Sequence, residues 1–296
     1  MFDQKGEENN TRKIKINSIR RNKRGASAAI SSVILTAGTI VLVLVAMGFA
    51  NTFLDARLAE NEFSTNKQFL LTTALQIDDI AWTVGRTQTV RFTSKFGNMK
   101  FQSAALNYAL EIDTGSGWEP LVNNVTGMIM FNVPVGVYSI GNNYFERISP
   151  SSNGSFLQIG PSAPVDHVFC VEKLPMAEGN YTRIVVVPTI RMLNSSITGP
   201  QQVSTAYYKF YLPTLEPGAH RYLSQSITLQ GDSITKLVKS GVDKVRFNVT
   251  FPNGDASVGF DSSFFNFDHL SETVILQDNS VIELYLGKII VTLGKV

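Results

Sequence analysis

Residues 26–54 hold no charged side chain, and Arg20, Arg21, Lys23 and Arg24 stand directly before them. An uncharged run of 29 residues reads as a bilayer span or as one member of a bundle of apolar helices. As a continuous helix rising about 1.5 Å per residue it would be roughly 43 Å long, against a hydrocarbon core of about 30 Å. It overshoots a bilayer, and everything else in the chain must be arranged around it.

The charges divide at the start of this run. Residues 1–25 carry eight Lys or Arg against three acidic residues, while the rest of the chain carries eighteen against twenty-one. By the positive-inside rule the basic leader stays in the cytoplasm and the body lies outside, which predicts a single-pass membrane protein with its N-terminus inside. A slightly acidic body gives no electrostatic footprint for nucleic acid. The single cysteine, Cys170, excludes an intramolecular disulfide and a cysteine-based zinc site.

Three fates are open to the apolar segment. A secretory signal could be cut at Gly48-Phe49-Ala50, although the run is about twice an ordinary signal core. An uncleaved signal-anchor would simply hold the body at the membrane. The third rests on Lys23-Arg24-Gly25-Ala26, two cations and one glycine followed at once by the small residues Ala26, Ser27, Ala28 and Ala29. This junction resembles the class III signal of type IV pilin-like proteins, and more closely the archaeal pilins and archaellins, because Ile30 occupies the fifth position after the junction where most bacterial members carry glutamate. The resemblance covers the first 40 to 60 residues. It implies that a prepilin peptidase cuts between Gly25 and Ala26, that glycine supplies an extended, unhindered backbone there, and that the retained helix assembles with copies of itself into a surface filament.

Ala28, Ser32 and Thr36 recur every fourth residue, a small-residue row that lets helix backbones approach. Past Asp55 the pattern becomes amphipathic. Ser64-Thr65-Asn66, with Thr65 and Gln68 at capping-box spacing, predicts that a second helix starts there. Its apolar face would be Leu70, Ala74, Ile77 and Ala81, up to Gly85. Adjacent Asp78 and Asp79 read as a solvated helix end.

From Thr87 the period becomes that of strands. "TQTVRFTSKF", "ALNYALEID", "MIMFNV", "TRIVVVPTI", "TAYYKFYL", "KVRFNVTF", "ETVILQ" and "VIELYL" are β-branched and aromatic runs bounded by turn residues. Gln277-Asp278-Asn279-Ser280 predicts a reversal, and with "GKIIVTLG" a closing three-stranded meander in which Ile282, Leu284 and Leu286 face the core. The fold class is therefore mainly β with a long N-terminal α-helix, the head being an antiparallel β-sandwich of immunoglobulin-like or jelly-roll-like kind. The expected division is a cleaved leader at 1–25, an apolar helix at 26–63, an amphipathic helix or linker at 64–85, and a head at 86–296, either one body or two split near Gly199-Pro200.

Chemistry is sparse. His167, His220 and His269 lack ligand-spaced partners, and no metal or cofactor motif is present. In a strand, Cys170 and His167 would face opposite sides, a buried thiol beside a half-exposed imidazole. An enzyme is not expected. Five sequons, at Asn124, Asn153, Asn180, Asn194 and Asn248, fall in the body, the first four in or beside predicted loops. Two functions remain: a filament subunit that homo-oligomerises through its helix, embedded in the membrane before assembly, or a monomeric signal-anchored binding protein whose head takes an unknown ligand.

Overall fold

The computed structural model describes residues 5–198, 204–220, 224–255 and 258–294, with side chains from residue 27 onward except at 197, 198, 204 and 279. The expected split near Gly199-Pro200 lies outside the described residues. One helix, α1 (Lys5–Ala81), precedes β1 (Thr87–Arg91), β2 (Asn98–Asp113), β3 (Trp118–Pro134), β4 (Tyr144–Ser149), β5 (Leu157–Ile159), β6 (Asp166–Glu172) and β7 (Tyr181–Pro188). There follow β8 (Ile190–Thr198), β9 (Ser204–His220), β10 (Ser226–Thr250), the short helix α2 (Ser262–Phe265) and β11 (Ser271–Gly294). The fold is mainly β with a long N-terminal helix, as the residue pattern predicts. The chain forms two compact units, Met1–Arg57 and Leu58–Val296.

The second unit is built on one large, mostly antiparallel sheet in the order β4-β6-β7-β3-β2-β10-β11-β9-β8-β5, with β1 added beside β10. Two pairings, β9 with β11 and β5 with β8, are parallel. The sheet curls until its halves face each other in a sandwich-like arrangement. Asn124 and Thr126 of β3 show this, because they reach β9, a strand that β3 does not pair with. Asn124 Nδ2 donates to Thr214 Oγ1 at 2.7 Å, and the Thr126 hydroxyl accepts from the Leu215 backbone N–H at 2.9 Å.

Two cores result. Strands β6 and β7 and the second half of β3 are buried on both faces, so alternate residues serve different interiors. Met128, Met130, Phe169, Val185 and Val187 fill the space inside the curl with Phe210, Phe247, Ile282 and Leu284. Ile129, Phe131, Val168, Cys170, Ile184 and Val186 face the other way, onto Phe63, Leu70, Ala74, Ile77 and Ile80 of α1. The predicted helix face thus packs on the sheet.

Three expectations change. No new helix starts at Ser64-Thr65-Asn66; α1 runs straight through. The polar side chains there return their hydrogen bonds to the preceding turn instead of capping, Thr65 Oγ1 to the Asn61 carbonyl at 2.8 Å and Asn66 Nδ2 to that of Glu62 at 2.9 Å. Asn66 Nδ2 also donates to the Thr93 carbonyl. The compact head consequently begins at Leu58 rather than at residue 86. Finally, β11 is one strand paired with β10 along its whole length, not part of a meander. Opposite Val242 and Lys244 of β10 stand Ser280 and Ile275, so the residues between them form a bulge that absorbs the turn chemistry.

The end of α1 comes very close to the sheet. An added Cβ on Gly287 would lie 2.5 Å from the Ala81 carbonyl oxygen, and one on Gly231 would lie 2.5 Å from that of Thr83. Only glycine fits at these two points of β10 and β11.

Candidate functional site

The first unit presents its side chains to the outside all round: every residue from 27 to 57 is exposed. Among the large apolar ones are Leu35 at 72% and Phe49 at 74% of their full accessibility. This is the one helix among the described residues that is long and apolar enough to cross a membrane. Several of its hydroxyls are already satisfied within the helix. Ser32 Oγ donates to the Ala29 carbonyl at 2.9 Å and Thr36 Oγ1 to that of Ser32 at 2.8 Å, and Thr39 and Thr52 do the same. With its hydroxyls turned inward, the row Ala28, Ser32 and Thr36 offers a close-packing surface that costs little to move into an apolar medium.

The junction Lys23, Arg24, Gly25 and Ala26 lies within α1, its side chains outside the described residues. Gly25 is therefore helical, not extended. A lone glycine costs a helix only about 1 kcal/mol, too little to break it between strong helix formers. A peptidase acting at Gly25 would have to unwind one turn.

The sequons separate by position. Asn153 and Asn180 are exposed in loops. Asn194 is also exposed, but in strand β8 rather than a loop. Asn124 sits in β3, bonded to Thr214, and its sequon threonine, Thr126, is 1% exposed. Asn248, in β10, donates to Glu111 Oε2 at 3.3 Å.

His167 is buried, not half-exposed, because β6 has no open face. Burial lowers its pKa to about 4, so the neutral ring accepts from Gln158 Nε2 at 3.0 Å. Burial also pushes the Cys170 thiol up to about 12, which leaves it unreactive. His220 stacks on Phe101 and His269 is exposed. Among the described residues no group of three or more His, Cys, Asp or Glu could hold a metal ion.

The head also has a polar constellation that sequence reasoning missed. Asp78 is not a solvated end. Its Oδ1 accepts from Trp82 Nε1 at 2.8 Å and its Oδ2 pairs with Arg191 Nη1 at 2.7 Å. Nearby, Asp166 opens β6 at 4% exposure. Desolvation, and secondarily the Asp78 charge, raises its carboxyl to about 7 despite the opposing pull of Arg191. The usable signal was one charged residue in each apolar run, Asp166 in "DHVFCV" and Arg191 in "PTIRML".

Compared with known proteins, the chain matches no family model, and neither a curated protein nor a solved structure resembles it significantly.

Proposed function

We propose that this protein is a structural subunit of an archaeal type IV pilus-like surface filament, assembled through its N-terminal helix after a prepilin peptidase removes residues 1–25. The observation that carries the reading is the uncharged, all-round exposed helix that follows the cationic junction at Lys23-Arg24-Gly25. A helix apolar on every side must be buried, in lipid or inside a larger protein body, and a bundle of its own copies supplies such a body. The protein therefore waits in the membrane as a single-pass precursor, N-terminus inside, and its head sits at the cell surface.

The second reading, a monomeric signal-anchored binding protein, is favoured by Ile30, which leaves the new amino terminus without a glutamate partner from a neighbouring subunit. Two measurements separate them. In the filament reading, electron micrographs of sheared surface appendages show fibres whose protein is this chain, and N-terminal sequencing starts at Ala26. An intact leader on monomeric surface material selects the anchor, and a start at Asn51 selects secretion.

A surface location also predicts modification. Glycans are expected on Asn153 and Asn194, both exposed, while Asn124 stays bare once the head has folded, because Thr126 is enclosed. Glycopeptide mass spectrometry of native material decides this; finding Asn153 and Asn194 both unmodified removes the claim.

A further inference from the structure

A cleft of about 620 Å³ opens beside the constellation of Asp78, Arg191 and Asp166. Leu71 and Leu75 of α1 form one wall, and Ile148, Pro150, Pro161 and Pro164 the facing one. Its size is that of a small-molecule site, and its lining is apolar apart from a few polar groups. What the cleft can bind follows from its charges. Both Asp78 oxygens are engaged, and Arg191 is neutralised by Asp78 and also donates to the Ala163 carbonyl at 3.3 Å. The buried Nε–H of Arg191 is left without a partner, but with the guanidinium charge already balanced by Asp78 an anion gains little there. Asp166 lines the cleft at 4% exposure with no hydrogen-bond donor on its carboxyl group, so its ionised form is held only by the charge of Arg191.

A fold keeps such a group at a cost to its own stability. The cost disappears when a ligand brings the missing positive charge. We propose that this cleft binds a protonated aliphatic amine, its ammonium against Asp166 and its hydrocarbon stem along Leu71, Leu75 and Pro164. Leu75, 74% exposed, marks the mouth. A lysine side chain of a peptide and a free alkylamine share this chemistry.

The pH dependence has a defined sign. The charged groups facing Asp166 are Asp78 of α1 and Arg191 of β8. A carboxyl raised to about 7 on folding stabilises the native state fully below its unfolded value, and loses that contribution as pH rises through 7. Above pH 7 the carboxylate is ionised, and amine binding is strongest there.

The test uses the full chain in detergent micelles, with n-pentylamine, Nα-acetyl-lysine methylamide and the uncharged Nα-acetyl-norleucine methylamide as calorimetric and thermal-shift probes. Saturable binding of at least one amine is expected at pH 8, at least tenfold tighter than at pH 5.5, with none of the norleucine probe. Binding of the lysine probe points to a peptide source, and of pentylamine alone to a free amine. Asp166→Asn should abolish binding while raising the unliganded melting temperature at pH 8, so the loss is not unfolding. Leu75→Arg, at an exposed position, should weaken binding by repulsion at the mouth. Equal binding of the norleucine probe, undiminished binding by Asp166→Asn, or no saturable amine binding at pH 8 overturns the proposal.

Discussion

A fragment spanning residues 58–296 is expected to fold as one cooperative, β-rich unit, whereas a fragment starting at residue 86 is expected to fail to fold. The difference is the last part of α1. Phe63, Leu70, Ile77 and Ile80 are at most 6% exposed and close the second core from above the sheet. Burial of one such side chain contributes about 1.5–3 kcal/mol, so together they supply on the order of 10 kcal/mol, as much as the whole stability of a typical domain. Polar ties accompany them. The Glu62 carboxylate accepts from the backbone N–H groups of Lys95 and Gly97, at 2.8 and 2.9 Å, and orders the loop between β1 and β2. A start at Ser64 would discard Glu62 and Phe63 and yield a weakened head. Circular dichroism and urea unfolding check the series, and within the longer fragment Ile77→Ala should cost about 2–5 kcal/mol. Cooperative unfolding of the fragment from residue 86 would show that the sheet needs no helix.

This dependence was half legible in the sequence. Leu70, Ala74, Ile77 and Ala81 lie at helical spacing, and an apolar stripe announces that something must cover it. Likewise Ile282 and Leu284 alternate as a strand facing a core must, and both are buried. Boundaries were harder. The hydroxyl and amide groups of Thr65 and Asn66 can cap a new helix or bond back to an old one, and only Thr93, brought alongside by the fold, settles which. The same ambiguity holds at Gln277 to Ser280, where one set of residues suits a reversal or a bulge. His167 was misjudged because β6 lies between two cores and loses the alternation that reports a face. The cleft was illegible for a different reason. Asp78, Asp166 and Arg191 come from three distant elements, and no local pattern links them.

Gly25→Leu should abolish filament formation completely while leaving the head folded. The first effect is enzymatic: a branched side chain at the residue before the cut obstructs a peptidase that must unwind α1 there, and the helix is strengthened by about 0.7–1 kcal/mol over its glycine form. The second is electrostatic. An unprocessed chain keeps eight Lys and Arg residues in its first 25, against three acidic ones. Bringing unpaired cations into a dry bundle of apolar helices costs several kcal/mol each, more than close packing along Ala28, Ser32 and Thr36 can return. In the proposed reading, processing would remove all eight together and leave a single α-amino group on Ala26, which would have to find a backbone carbonyl or the hydroxyl of Ser27. The variant should accumulate in the membrane with its leader attached, its head retaining wild-type circular dichroism and protease resistance. Gly25→Ala, far less bulky, should be cut more slowly but still assemble. Filaments built from leader-bearing Gly25→Leu subunits would mean that the charges are neutralised in place, and the helix would then have to pack with its leader outside the bundle.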